Sequence, residues 1–374
     1  MTEQLIPAEL LSSSNKILFV AHLALGDFTY MQNCFRAFKK AYPHIQMHLW
    51  VDELRRTADP DKWEHLKKYS LYDWVQGCGL FDKVYTQTYS PALYRESIAE
   101  ARAERYPIVV SFAVLHRHEY VNLMRELSPD GFIVGQKKRV RLLDIRKHLI
   151  YRKLDAHIPA YKITRQHQSG AVPVAHISAI YAGWFQQLFN LEISATERLP
   201  FVVIPPQWLD YARQQFTDWH FSEDVPTVFL NGFSKSPERS WSLERVMELA
   251  TAMQQTDQWR HANFIINVIP EALNEARTRF AGDAQARIQL FSANENFYQL
   301  PAILSLCTLI VSVETAIMHL ANAVHVPVIA LMRQTSPEWT PINKEISTVI
   351  KTSARKAWVE EITVQQVLDA LPRV

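Results

Sequence analysis

The sequence predicts an α/β protein made of two α/β domains that face one cleft. Three observations carry that expectation. First, residues 309–331 read as a buried strand (309–313), a polar turn, a helix (316–324) and a second buried strand (326–331). Second, Lys16 to Asp27 forms another strand and turn leading into a helix. Third, apolar runs and helix-period segments alternate through most of the chain, as in βαβ units with a mostly parallel sheet. Polar groups at the carboxyl end of a strand, beside the free N–H groups of the next helix, make a ligand crevice in an open α/β sheet. Two such crevices far apart in sequence imply two domains sharing a gap.

Taken in order, 16–21 is the first strand and 30–41 its helix, stopped by Pro43. Strands follow at 45–51, 81–85, 106–112 and 132–134, with helices at 92–104 and 118–127, the latter ended by Pro129. Residues 177–191 are a helix with aromatic anchors, and 207–216 a helix after a proline-rich passage. The second series has strands at 227–230, 263–268 and 288–291, with helices at 242–255, 270–280 and 297–305, before the 309–331 segment and a closing helix at 363–371. A boundary near 217–226 gives an amino-terminal domain over 1–220, a carboxyl-terminal domain over 221–355 and a helical segment over 356–374.

Composition narrows the function. A chain of 374 residues suits two ordinary cores. The apolar content is 48% with no low-complexity tract, so disorder is expected only in the first dozen residues. Lys plus Arg number 40 against 38 Asp plus Glu, without the basic footprint of a nucleic-acid binder. Charge is uneven, however: Lys137 to Lys153 holds eight Lys or Arg and one Asp. Its apolar residues Leu142, Leu143, Ile145, Leu149 and Ile150 would lie against an anionic lipid surface beside cations; a site for phosphorylated saccharide or a salt-bridged surface helix are the other readings. Cys34, Cys78 and Cys307 have no paired spacing and read as free thiols in a reducing cytosol. The amino terminus lacks the pattern of a signal peptide, and no apolar run is long enough to span a bilayer.

The chemistry-bearing residues fall at the strand ends. Asp27 reads either as the cap of the following helix or as a base that takes a proton from an attacking hydroxyl. Gly26 would permit a tight bend there, and His22 would place an acceptor or simply pack. Asn231 to Trp241 sets Ser234, Lys235, Ser236 and Arg239 in a loop before a helix whose cap would be Ser242. Such a loop neutralises a diphosphate with cations and polar donors, or is a solvated connection over Trp241. Thr315 would donate to phosphate or cap its helix. Glu314 would accept from sugar hydroxyls or pair with a cation such as Lys235, and His319 would donate to phosphate or sit half-buried. Glu295 and Asn296 would take ribose hydroxyls or occupy the first turn of the next helix. With only nine glycines the chain has no Gly-x-Gly-x-x-Gly fingerprint, no Walker loop and no Gly-x-Ser-x-Gly elbow. His116 and His118 lack the companions of a zinc site, so no metal is expected.

Three segments together resemble the heptosyltransferase-like bacterial glycosyltransferases, glycosyltransferase family 9. They are Ile17-Leu-Phe-Val-Ala-His-Leu-Ala-Leu-Gly-Asp27, Gly232 through Trp241 with Leu249-Ala250, and Val313-Glu-Thr-Ala-Ile-Met-His-Leu-Ala321. The resemblance is ordered across most of the chain and weakest in the middle. It implies the GT-B architecture, two Rossmann-like domains facing a central cleft, and inverting transfer of heptose from ADP-heptose to lipopolysaccharide core without a cofactor. It also implies a cytoplasmic protein, peripheral on the inner membrane. By this resemblance Asp27 activates the acceptor, and Lys235 binds the diphosphate. Thr315 and His319 line the donor site, and Glu295 lies on the nucleoside side. Ser234, Ser236, Arg239 and Glu314 complete the donor-binding set. The family's Asp-Thr-Gly is Glu314-Thr315-Ala316 here. That departure motivates an alternative, a non-catalytic protein binding a nucleotide-sugar or anionic glycan; a nucleotide-sugar epimerase ranks below it.

Overall fold

The structure, a computed structural model, describes residues 4–141, 143–159, 173–279 and 287–372. It divides into two compact units, Met1–Arg198 and Leu199–Val374.

The first unit runs α1 (Ala8–Ser13), β1 (Lys16–Ala21), α2 (Leu25–Ala41), β2 (Gln46–Val51), α3 (Trp63–Lys67), α4 (Ser70–Gly77) and β3 (Lys83–Tyr85). It continues with α5 (Pro91–Ala103), β4 (Ile108–Ser111), α6 (Arg117–Leu127), β5 (Phe132–Lys137), α7 (Ile145–Tyr151), β6 (Ala156–Pro159) and α8 (Ile177–Phe189). Its strands pair in parallel in the order β3-β2-β1-β4-β5-β6. Ile17 to Ala21 of β1 are fully covered, as expected of a central parallel strand with helices on both faces. On one face Phe19 is the hub of an aromatic cluster: its ring lies 5.0 Å from Phe35 and 5.5 Å from Phe38 on α2, 5.7 Å from Phe112, and 6.1 Å and 6.2 Å from Phe185 and Phe189 on α8. Such pairs add to the area buried, because the ring quadrupoles favour these offset and edge-on contacts.

The second unit runs α9 (Pro206–Asp218), β7 (Thr227–Asn231), α10 (Leu243–Gln254), β8 (Asn263–Asn267), α11 (Leu273–Arg279), β9 (Ile288–Phe291) and α12 (Gln299–Ser305). It closes with β10 (Leu309–Val313), α13 (Ala316–Ala323), β11 (Val328–Met332), β12 (Ser347–Lys351) and α14 (Val364–Asp369). Its sheet, also parallel, has the order β12-β11-β10-β7-β8-β9. Counted from its own first strand, each sheet has the Rossmann order. Strand order therefore reverses between β1 and β4 in one unit and between β7 and β10 in the other. In open α/β sheets ligands bind beyond the carboxyl ends of the strands at that reversal.

Several expectations need correction. Ile6 is buried and the Leu5 and Ile6 N–H groups donate to the Gln187 and Leu188 carbonyls, so residues 4–12 are not a loose tail. The units divide at 198/199, ahead of the expected 220/221, because α9 packs on α12 and Trp219 beyond it sits 6.3 Å from Phe291 on β9. Residues 356–374 are no separate segment: Val364 and Val367 of α14 are buried in one core with Val246 and Leu249 of α10. Within the basic stretch, Ile150 faces inward with Tyr151, Leu142 lies outside the described residues, and Leu143, Ile145 and Leu149 remain exposed. Phe280, at the end of the expected 270–280 helix, also lies outside them.

Candidate active site

The first candidate lies at the β1/β4 reversal. The helix after β1 begins at Leu25, earlier than expected, and Asp27 explains why. It is not the cap but the third residue of α2, and its Oδ2 accepts the Ala24 N–H at 3.1 Å. Gly26 lies inside that first turn with ordinary helical neighbours, not at a left-handed bend. The other carboxylate oxygen, Oδ1, accepts the Tyr181 hydroxyl of α8 at 2.6 Å. Burial pushes the Asp27 carboxyl above its ordinary range, against the opposing pull of Tyr181, the Ala24 N–H and the nearby His22. A carboxylate so raised is a stronger proton acceptor once ionised. His22 lies beside the same strand end with Nδ1 3.2 Å from the Asp52 carbonyl.

The second candidate lies at the β7/β10 reversal. Asn231 ends β7 and ties the region together. Its Nδ2 donates to Ser312 Oγ at 3.1 Å and Thr315 Oγ1 at 3.2 Å, and its Oδ1 accepts from Asn267 Nδ2 at 2.9 Å. The next residue, Gly232, is closely packed: an added Cβ would stand 2.5 Å from Val246 Cγ2 and 2.9 Å from the Trp241 carbonyl oxygen. Only glycine fits that approach. The loop is knitted by Ser240, whose Oγ accepts the Ser234 N–H and donates to the carbonyls of Ser234 and Ser236. Ser234 Oγ in turn accepts the Ser236 N–H at 3.3 Å. Lys235 projects from this frame, exposed and without an ion pair among the described residues. Trp241 packs beneath, its Nε1 donating to the Val359 carbonyl, and Ser242 caps α10 as expected through the Arg245 N–H.

Thr315 is the cap of α13, accepting the Ile317 N–H at 3.3 Å. Glu314 does not pair with Lys235. Its Oε1 lies 3.9 Å from Arg239 Nη1, and its Oε2 accepts the Arg333 N–H at 3.3 Å. Burial raises the Glu314 carboxyl above its ordinary range, with Arg239 and Arg333 opposing. A carboxyl raised by folding favours the folded state at pH below its unfolded titration, and that advantage is lost as pH rises through its folded one. Glu314→Gln is thus expected to raise the urea midpoint near neutrality relative to the native chain, with the difference shrinking as pH falls into the carboxylate range. Parallel midpoint curves for the two proteins would refute this.

His319 is buried, its ring 5.8 Å from Trp339, and is not a half-exposed group. Glu295 is exposed after β9 and precedes α12 by a turn, so it is not in that helix's first turn. Its N–H donates to Gln299 Oε1 at 3.0 Å. The structure thus joins Ser234, Ser236, Arg239, Glu314 and Thr315 around one strand-end network, sets Lys235 on its rim, and leaves Glu295 beyond β9, the edge strand two places from β7. Sequence reasoning missed Tyr181, Arg333, Ser240 and the linking role of Asn231.

Comparison with known proteins supports the fold. Residues 194–366 match the family model of glycosyltransferase family 9 (heptosyltransferase). A glycosyl transferase family 9 structure from Veillonella parvula superposes at a TM-score of 0.72 with 15% identity, covering 95% of this chain and 96% of that one. E. coli ADP-heptose lipopolysaccharide heptosyltransferase II gives 0.64 at 16% identity, with the same coverages of 95% and 96%. E. coli heptosyltransferase WaaC with ADP gives 0.62 at 15%, again over 95% and 96%. No curated protein sequence matches the chain.

Proposed function

We propose that this heptosyltransferase-like protein of the GT-B fold is an inverting glycosyltransferase, moving heptose from ADP-heptose to a lipopolysaccharide core or related bacterial glycan. The acceptor hydroxyl gives its proton to Asp27 as its oxygen bonds the anomeric carbon. The bond from that carbon to the diphosphate oxygen breaks, and the diphosphate leaves with the electron pair. Lys235, Arg239 and the N–H groups at the start of α13 offset the leaving charge, while binding both substrates makes the attack effectively intramolecular. Glu314, tempered by Arg239, accepts from sugar hydroxyls. Glu295 takes the nucleoside side: β9 lies two strand spacings from β7, roughly 10 Å, about the reach of a nucleoside diphosphate.

One observation carries this reading: an acid stands at the strand-order reversal of one sheet and a cation-bearing loop at that of the other. The test is a donor screen with mass-detected transfer onto truncated lipopolysaccharide and capsular acceptors. A donor-dependent mass gain supports transfer. Donor binding without product across the panel would favour the binding protein instead, and sugar isomers formed without acceptor would favour an epimerase.

The proposed site of action is the cytoplasmic face of the inner membrane. No helix among the described residues is long and apolar enough to cross a bilayer. What supports surface contact is Leu143 (93% exposed), Ile145 (69%) and Leu149 (56%) amid the cations of 137–153. Co-sedimentation with phosphatidylglycerol vesicles is expected to exceed that with phosphatidylcholine, and to fall with salt and in a Leu143→Ser/Ile145→Ser/Leu149→Ser variant. Equal partitioning of the variant and native chains would remove this surface from consideration.

A further inference from the structure

We propose that Tyr181 is a positioning residue for Asp27, fixing the carboxylate's orientation and favouring its ionised form so that it can take the acceptor proton. The catalytic half of this inference rests on the glycosyl-transfer reading; the coupling of the two side chains does not.

The two residues are 154 positions apart in the chain, yet the Tyr181 hydroxyl donates to Asp27 Oδ1 at 2.6 Å. The Ala24 N–H already satisfies the opening of α2 through Oδ2. The tyrosine bond therefore closes no main-chain valence. With both carboxylate oxygens held, the group's rotation is fixed, and each oxygen keeps a further lone pair for a substrate proton.

The donor is itself held by packing. Tyr181 is 4% exposed on α8, its ring 5.0 Å from Trp184, which stacks on Phe112 at 5.9 Å. Burial first, then the Asp27 charge and the bond to it, keeps the Tyr181 hydroxyl protonated and hence a donor.

Charged and titratable groups among the described residues face this pair from several elements. His22 faces Asp27 from the loop after β1, and Tyr69 faces it from the segment ahead of α4. Cys34 faces Tyr181 from α2, and Arg198 faces Cys34. Tyr69 spends its hydroxyl on the Leu23 carbonyl at 3.0 Å and is flanked by Glu53 and Arg55. Among the described side chains, Tyr181 is the one that donates to the Asp27 carboxylate. Removing that donor leaves desolvation less opposed, so the Asp27 titration moves to higher pH.

The experiment is Tyr181→Phe in the full chain, read in two ways. In the first, the Asp27 carboxyl is followed by ¹³C NMR titration, its resonance assigned by its loss in Asp27→Asn. In the second, transfer from ADP-heptose to truncated lipopolysaccharide is measured across pH. The expected result is an upward move of the Asp27 midpoint and, with it, of the acid limb of kcat/KM. Transfer on that limb falls by roughly tenfold or more, the scale of a hydrogen bond to a charged group. It recovers as pH rises, with KM for the donor unchanged. Coincident Asp27 titrations, or a loss of transfer that no pH restores, would overturn the inference.

If the variant does not fold, the native chain still decides the coupling. The Tyr181 ¹³Cζ shift should follow the Asp27 titration and become flat in Asp27→Asn; a flat response in the native chain counts against it. Full transfer by Asp27→Asn with the coupling intact would instead sink the transfer reading.

Discussion

Replacing Asp27 with Asn is expected to lower glycosyl transfer by roughly 10²–10⁴-fold, the range a positioned general base supplies, while leaving the fold at least as stable near neutral pH. The two halves have one cause. Asp27 titrates above its ordinary range because burial disfavours its charge. A group raised in this way stabilises the folded chain at pH below its unfolded titration and ceases to do so as pH rises through its folded value. At neutral pH the ionised carboxylate is thus a local cost, which the isosteric amide removes while still accepting the Ala24 N–H. Rate and thermal midpoint measured on the same preparation check this. Transfer near the native level, or a variant markedly less stable than the native chain, would show Asp27 to be a capping group and nothing more. In the native chain the acid limb of kcat/KM should fall above the usual aspartate range.

Lys235→Met is expected to weaken nucleoside diphosphate binding by about 10–100-fold, corresponding to about 1.5–3 kcal/mol for a charge-assisted hydrogen bond. Affinity for the bare nucleoside should be unchanged. Lys235 is suited to this because it has no ion pair among the described residues, whereas Arg239 already faces Glu314 at 3.9 Å. Removing Arg239 would leave the buried Glu314 carboxylate with Arg333 alone to offset its charge, so its loss should weigh on stability as well as on affinity. Calorimetric titration with ADP and with adenosine at low ionic strength separates the two, since salt screens an exposed ammonium. Equal ADP affinity in the native and Lys235→Met chains would dismiss the loop as a diphosphate site.

The central strands were legible because they are unbroken apolar runs. β1 at Lys16–Ala21 and β10 at Leu309–Val313 have the bounds expected from sequence. Edges and short helices were not. β12, Ser347-Thr-Val-Ile-Lys351, is a half-exposed edge strand of mixed character, so it carries no long apolar run to detect. α3 and α4 are too short for periodicity to separate them from loops, although Leu66 and Trp74 anchor them. In the candidate site, residues near one another in sequence were readable and their partners across the fold were not. Glu314 was expected to meet a cation, but which one depends on how the turn Pro237–Arg239 aims Arg239 and how β11 ends at Arg333. Tyr181 left a fainter trace. Its helix is apolar nearly all round, more than a surface helix requires, and that marks it as interior without saying what its one hydroxyl serves.

If Asp27 serves the proposed transfer, the Phe19 cluster bears on how ready its carboxylate is before any sugar arrives. Interlocked rings resist small sliding movements, because every shift opens gaps on several neighbours at once. Phe35 and Phe185 clasp α2 and α8 to the same strand, with their own rings 5.7 Å apart. The turn bearing Asp27 and the helix bearing Tyr181 are therefore pinned to one common anvil. Under the proposed transfer, an incoming hydroxyl would meet a carboxylate already set, and little of the encounter's free energy would go into arranging it.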